Sequence, residues 1–439
     1  MDLMSKVIEL ADKLQESTVC CRRDLHAHPE AGWTEFRTAA IVAATLSKLG
    51  YEVETGNKVI EEDAMMGRPD QQVLADKQER VISQGADPFW VEQMTGGKTG
   101  VVGTFSFQQP GPTVAIRFDM DANDVCETED VQHYPRRGKF NSVNPGVMHA
   151  CGHDGHTSVG LAVAKILLEL KSSLTGKIKL IFQPAEEGVR GAKAMVTKGI
   201  VDDVDYMLGS HFGFKMKHTG QLACNVVGFL ATSKYDVVFT GRPAHAGAAP
   251  EAGRNALLAG ACAALNLHAI SRHSEGVSRI NVGVLEAGTG RNVIADKALM
   301  KLETRGATSK INQYMAEEAT RIVKAAAAMY DVQVQITEMG GAAGGKNTEE
   351  LSSQIKNIAQ RLNIFEEIID TCDFGASEDF SYFMERVQEN KGKAAYIMVG
   401  ADLAAGHHDS RFDFDEKALA YATKILASVT VELLMVKEK

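Results

Sequence analysis

The 439-residue chain has no excess of basic residues: 47 Lys and Arg stand against 57 Asp and Glu, a net charge of −10. A nucleic-acid or anionic-membrane binder usually needs a basic face, so this balance argues against both. Long hydrophobic runs are also missing. The most apolar stretch, GLAVAKILLEL at 160–170, is too short and too interrupted to cross a bilayer. The amino-terminal MDLMSKVIELADKLQ carries charges throughout and reads as an amphipathic helix rather than a secretion signal. Cysteine is sparse, with seven scattered residues, an odd number that argues against a disulfide framework and fits a reducing cytoplasm. Only 10 Pro accompany 40 Gly, which suits tight backbone turns better than a disordered linker. Of the cysteines, Cys151 alone lies in a polar, Gly-rich setting.

At ~100–200 residues per domain, this length predicts two to three domains. Strand-like runs TVAIRFDM (113–120), KIKLIFQP (177–184) and VDYMLGSHF (204–212) alternate with helical stretches near 155–173 and 190–199. That rhythm predicts a mostly parallel α/β sheet. Residues 56–99 interrupt it and read as a polar, partly helical excursion over the surface of the first domain. From about 219 the texture changes. KYDVVFTG, a helix at 254–270, SRINVGVLEAG, KALMKLETRG, a helix at 310–330 and VQVQITEM predict a β-α-β-β-α-β unit. GGAAGG at 340–345 reads as a hinge or linker, after which AAYIMVG (394–400) and a closing helix at 416–435 resume the first texture. The expected organisation is a catalytic domain at 1–218 and 342–439, with a smaller α+β lid or dimerisation domain inserted at 219–341.

Open α/β sheets bind ligands at the carboxyl ends of their strands. In this chain those ends carry Asp119 and Asp121, then Cys151, His153, Asp154 and His156 of MHACGHDGH, the Glu186–Glu187 pair, His211, and His407 with His408. A Cys, several His and paired carboxylates make a strong metal signal if the strands converge. Glu186 and Glu187 are adjacent, so an extended segment would point them to different sides, one to hold metal and the other to deprotonate the attacking water. These donors are too many for one tetrahedral zinc with an open position; two ions sharing a ligand fit the count better. Asp119 and Asp121 are balanced between orienting a ligand and being ordinary strand-end carboxylates. The remaining histidines, His156 and His407 among them, are read as ordinary core or surface residues. GTGRN at 288–292 is a turn, since a lone GxG without a following helix is no phosphate loop. Two rival readings stand beside the metal hydrolase. One is thiol catalysis by Cys151 with His153 as base, which leaves Glu186, Glu187, His211 and His408 without a task. The other is a metal-binding structural partner that is inert alone.

At MHACGHDGHTS, QPAEEG, PAHAG and HHDSRFDFDE the chain resembles the aminoacylase/carboxypeptidase family of dinuclear metallopeptidases, and within it the branch that hydrolyses N-acyl amino acids. The resemblance covers nearly the whole chain, from RRDLHAHPEAGWTEFRTA at 22–39 onward. It implies that Cys151, His153, Glu187, His211 and His408 hold two divalent ions, Mn²⁺ or Zn²⁺, with the Cys151 thiolate bridging. It further implies Glu186 as general base and His245 of PAHAG as the residue that steadies the oxyanion, reaching the partner subunit's site. By the same resemblance Asn292 and Arg305 hold the substrate's carboxylate, and Glu378 (of Ser377–Phe380, SEDF) is a candidate to support the ligands. One departure is NVIA after Arg291, where the family usually has NVIP. The activity implied is hydrolysis of the amide between an aromatic acyl group and glutamate or aspartate. p-Aminobenzoyl-glutamate is the first expectation and indole-3-acetyl-aspartate the alternative. The partners implied are this small-molecule substrate and a second copy through the inserted domain, or a related subunit.

Overall fold

The computed structural model describes residues 2–435. The expected closing stretch at 342–439 therefore has its last four residues outside the described ones. Twelve strands are present among the described residues: β1 (Glu52–Thr55), β2 (Val101–Ser106), β3 (Gln109–Asp119), β4 (Thr175–Gln183), β5 (Tyr206–Phe212), β6 (Gln221–Val227), β7 (Ala231–Thr240), β8 (Ser278–Ala287), β9 (Lys297–Gly306), β10 (Gln333–Ala342), β11 (Glu367–Asp373) and β12 (Lys393–Val399). They form an eight-stranded sheet of order β1-β2-β4-β3-β5-β12-β6-β11 and a four-stranded sheet of order β10-β7-β9-β8.

In the larger sheet β4, β3, β5 and β12 run parallel side by side. They are the four strands read from the sequence, and burial on both faces explains their near-continuous apolar runs. Phe118 and Phe182 are register partners on one face. The helix His153–Glu169 crosses them at Gly160, where an added Cβ would come within 2.7 and 2.8 Å of the two rings. Glycine there sets how closely the helix lies on the sheet. On the opposite face Gly209, the partner of Arg117, meets Phe380 of the helix Phe380–Glu389. Helices thus cover both faces. From β3 the chain passes to β4 on one side and then to β5 on the other, so the strand order reverses beside β3, the place where open α/β sheets present a crevice.

Two compact units divide the chain. The smaller one comprises Gly228–Gly345 with Gly375–Glu378, and the larger one holds the remainder. The smaller unit has the β-α-β-β-α-β order, with the helices Ala256–His268 and Ser309–Met329 packed on one face of a fully antiparallel sheet. β6 lies inside the stretch assigned by sequence to the insert, yet it pairs with β11 and β12 of the larger sheet. GGAAGG is only partly a connection. Gly340, Gly341 and Ala342 continue β10 past a bulge, paired with Lys234, Ser233 and Thr232. The 56–99 segment also departs from a surface excursion. Its helices Gln71–Ser83 and Pro88–Gln93 contribute Leu74, Val81 and Val91 to the main core, because their apolar residues recur at helical spacing.

A buried ionic cluster ties three distant parts of the larger unit together. Arg22, in the helix Leu3–Ala27, is fully buried and donates to Asp154 (2.9 Å), Asp413 (2.6 Å) and Glu416 (3.3 Å). Removing one side of such a cluster leaves uncompensated charge away from water. Replacing Arg22 with Met should therefore cost about 3–5 kcal/mol, read as a lowered midpoint in denaturant unfolding followed by tryptophan fluorescence. An unchanged midpoint would show the cluster to be dispensable.

Candidate metal centre

The carboxyl ends of the four parallel strands converge on one cluster. β3 runs into Asp119 and Asp121, the turn after β4 carries Glu186 and Glu187, β5 ends with His211 and Phe212, and His408 follows β12. Cys151 and His153 precede and open the helix His153–Glu169, after Gly152 in the left-handed region at φ 91°.

Two imidazoles are set by backbone carbonyls. His153 Nδ1 lies 2.8 Å from the Asp121 carbonyl, and His211 Nδ1 lies 2.8 Å from the Phe212 carbonyl. A carbonyl can only accept, so each Nδ1 carries a hydrogen and Nε2 is the nitrogen each ring turns to the cluster, free to ligate a cation once it holds no proton. His211 Nε2 stands 3.5 Å from Cys151 Sγ. His153 Nε2 stands 3.8 Å from Asp119 Oδ2 and 4.0 Å from both Glu186 Oε2 and Glu187 Oε1. His408 is held at φ 66°, its amide donating to the Ala150 carbonyl, with Nε2 3.4 Å from Glu187 Oε1.

The turn that carries the two glutamates is not the extended segment expected from sequence. Asp121 accepts the amide of Glu186 at 3.0 Å on one oxygen and that of Glu187 at 2.9 Å on the other. Ala185 sits at φ 52°, and its amide donates to the buried Glu35 carboxylate at 2.7 Å. Gripped at three consecutive amides, the chain curls, and both glutamate side chains reach the same side of His153 instead of diverging.

The donor set suits cations. Cys151, His153 and His211 bring one donor atom each within 4.8 Å of one another, as do Cys151, Glu187 and His408, and likewise His153, Glu186 and Glu187. Cys151, His153 and Glu187 each belong to two of these triplets, so these three stand at the middle of the donor set. Two donors are orphaned: His153 Nε2 and Glu187 Oε1 are buried without a hydrogen-bond partner. Buried polar atoms are normally satisfied, so this pair fits ions between them. Charges agree. Burial, followed by the charges of Glu187, Glu186 and Asp119, pushes the Cys151 thiol well above its usual range. Burial opposes charging His153 as well, but Asp119, Asp121 and Glu187 raise it to about 10. Burial disfavours ionised Glu187, yet the neighbouring His408 and the charge of His153 bring it down to about 2. A cluster that draws protons this strongly would hold divalent cations in their place. The same field argues against Cys151 as a nucleophile, since a raised thiol is a poor source of thiolate. His153, its proposed base, is also not the imidazole facing the sulfur.

Asp119 holds His156 Nδ1 at 2.6 Å and takes Arg117 Nη1 at 2.5 Å. From sequence His156 reads as an ordinary histidine. In the structure it sits among the ligand candidates, its ring 4.5 Å from that of His211. Two further residues are not among the candidates that the sequence singles out. Asp379 is fully buried in the larger unit, accepting from Arg117, Gln183, Gly191 and Ala192, while Glu35 supports Ala185. The SEDF motif pointed to Asp379's neighbour; Glu378 falls in the short stretch that groups with the smaller unit. In that unit His245 and Asn292 are close, linked by the Ala246 amide donating to the Asn292 carbonyl at 3.0 Å. Arg305 lies elsewhere. The loops of His245 and Asn292 adjoin the end of the sheet where Thr240 pairs Lys297, and Arg305 pairs Thr232 at the other end. Eight residues of strand, roughly 26 Å, separate Lys297 from Arg305.

A family model described as peptidase family M20/M25/M40 matches residues 115–432. The chain is 49% identical over 407 residues to a p-aminobenzoyl-glutamate hydrolase subunit of Escherichia coli (strain K12), covering 92% of this chain and 93% of that protein. It is also 49% identical over 407 residues to indole-3-acetyl-aspartic acid hydrolase of Enterobacter agglomerans, with 92% and 93% covered. The crystal structure of the aminobenzoyl-glutamate utilization protein from Klebsiella pneumoniae matches at a TM-score of 0.84 and 42% identity, covering 97% of each chain.

Because Cys151 and His153 hold protons near neutral pH, loading the cluster with Zn²⁺ at pH 7 should release about two protons. Calorimetry in buffers of differing ionisation enthalpy reads that number, and apparent affinity should climb as pH rises. Binding without proton release would remove these two residues from the site.

Proposed function

The chain belongs to peptidase family M20/M25/M40, and from that premise we propose that it hydrolyses the amide joining an aromatic acyl group to glutamate or aspartate, with p-aminobenzoyl-glutamate as its substrate. The observation that carries the reading is the convergence of Glu186 and Glu187 on His153, beside the Cys151–His211 pair. Indole-3-acetyl-aspartate is the second reading, supported by equal identity to a hydrolase named for it.

In this reading Cys151, His153, Glu187, His211 and His408 hold two divalent ions. Such ions supply Lewis-acid polarisation of the scissile carbonyl and a lower pKa for water. One thiolate and three imidazoles suit zinc, which the affinity order favours over manganese when both are present. Glu186 takes the proton of the attacking water and passes it to the departing amine. His245 steadies the oxyanion. Its Nδ1 accepts the amides of Gly247 and Ala248, both at 3.1 Å, so its remaining nitrogen carries the hydrogen and can only donate. Asn292 and Arg305 hold the free carboxylate, Arg305 through its planar fork.

The distance between Arg305 and the His245–Asn292 pair supports a homodimer: a small substrate touched by both must draw them from different copies. The smaller unit offers a surface for pairing, with Leu257, Leu258 and Leu265 exposed on the helix Ala256–His268 and β8 at the sheet edge. Seven free cysteines fit a cytoplasmic setting, and among the described residues no helix is long and apolar enough to cross a membrane.

Purified protein loaded with Mn²⁺ should release glutamate from p-aminobenzoyl-glutamate faster than aspartate from indole-3-acetyl-aspartate, and a chelator should abolish both reactions. Turnover of neither by metal-loaded protein would point to a required partner of related sequence. Replacing Glu186 with Gln should keep the metal content while kcat falls roughly 10²–10⁴-fold. Near-normal kcat in that variant would remove Glu186 as the base.

A further inference from the structure

Arg305 is one arginine of a facing pair. In the smaller unit Ile280, Leu302 and Thr304 turn toward the helices; Thr304 Oγ1 donates to Asn312 Oδ1 at 2.8 Å. Side chains alternate along a strand, so Arg279 and Asn281 of β8 and Glu303 and Arg305 of β9 occupy the opposite, open face. Arg279 and Arg305 are direct register partners, and Asn281 and Glu303 form the next pair on that face. Directly opposed side chains have Cβ atoms about 4.5–5.5 Å apart, and like charges so placed repel. Glu303 answers only half of that repulsion. Its carboxylate lies in the fork of Arg305, with Nε to Oε1 at 3.0 Å and Nη2 to Oε2 at 3.2 Å. Arg279 is exposed and has no acidic partner among the described residues. A shallow depression of about 440 Å³ lies along the same strands, with Asn281, Glu303, Lys301, Asp236 and Met339 in its walls; neither arginine lines it.

Two opposed guanidinium groups with one internal carboxylate leave a net positive charge that nothing in the fold requires. Glu303 demonstrates that a carboxylate is accepted side-on here. Arg305 has five N–H donors and spends two of them on Glu303.

We propose that Arg279 and Arg305 form a two-cation site for a dicarboxylic amino acid, with Arg279 holding the side-chain carboxylate while Arg305 holds the α-carboxylate. The proposal rests on the substrate reading of Arg305 given above. Arg279 is then the residue that selects N-acyl glutamate and aspartate over N-acyl amino acids bearing a single carboxylate. A neutral side chain would leave the repulsion between the two guanidinium groups unanswered.

The test is steady-state kinetics of the metal-loaded full chain on p-aminobenzoyl-glutamate and on p-aminobenzoyl-norvaline, which has the same chain length and one carboxylate. Arg279→Gln should raise KM for the glutamate substrate roughly tenfold or more, the scale of a lost charged hydrogen bond, with kcat near wild type. Its KM for the norvaline substrate should not move, so the preference collapses. Arg279→Lys should recover part of it, and Arg305→Gln should raise KM for both substrates. Equal changes on both substrates in Arg279→Gln, or no change on either, would overturn the proposal while leaving the activity standing. Wild-type protein that turns over neither substrate would fail the parent reading, and this proposal with it.

Discussion

The candidate centre depends on one buried carboxylate receiving two consecutive amides. Asp121 takes the N–H groups of Glu186 and Glu187 on separate oxygens, which forces a turn where the end of a parallel strand would otherwise stay extended. Without that grip the glutamates would alternate to opposite sides and could not both approach His153. Asp121 is surrounded by other charged and polar groups that depend on one another. Arg117 links Asp119 to Gln183 and Asp379, and Asp379 in turn takes the amides that lead into the helix Ala192–Thr197. Glu35 completes the set from the other side: burial first, and then the charge of Asp121, raises its carboxyl to about 8. A group so poised is largely neutral at pH 7, which relieves the repulsion between two carboxyls packed under one turn.

Much of this was legible in the chain, for a definite reason. Parallel strands buried on both faces leave continuous apolar runs, and ligands gather where such runs end in Asp, His or Glu. The residues 119–121, 151–153, 186–187, 211 and 408 could therefore be picked out one strand at a time. What could not be read was anything set by the order of those strands or by contacts across it. Asp379 lies 196 residues from Gln183, to which it is bonded, and no local pattern reports such a pairing. His156 looked ordinary because its role comes from Asp119, a residue on another element. The curl at the two glutamates is not legible locally, since Asp121, far upstream, holds both of their amides. β6 and β11, seven residues each, take their place only through pairing at one end of the sheet, and GGAAGG reads as a linker because small residues serve a crowded strand end as well as a flexible one.

The electrostatics of the centre also separate chemistries that the residue types alone leave open. Cys151 and several histidines in one Gly-rich loop would serve a thiol enzyme as readily as a metal site. The surroundings decide between them. Three carboxylates near the sulfur oppose a free thiolate and favour one neutralised by cations. His211, the imidazole facing the sulfur, is kept well below its usual range by burial and then by His156, so it stays neutral and available as a ligand.

The length of the small sheet between His245 and Arg305 has a genetic consequence. If each active site takes its arginine from one copy and its histidine from another, lesions at the two ends are not equivalent within a mixed dimer. A chain lacking His245 paired with a chain lacking Arg305 would assemble one site carrying both defects and one carrying neither. Two inactive proteins would then regain activity when their chains exchange, a form of complementation that two lesions in the Cys151–His408 cluster could not provide.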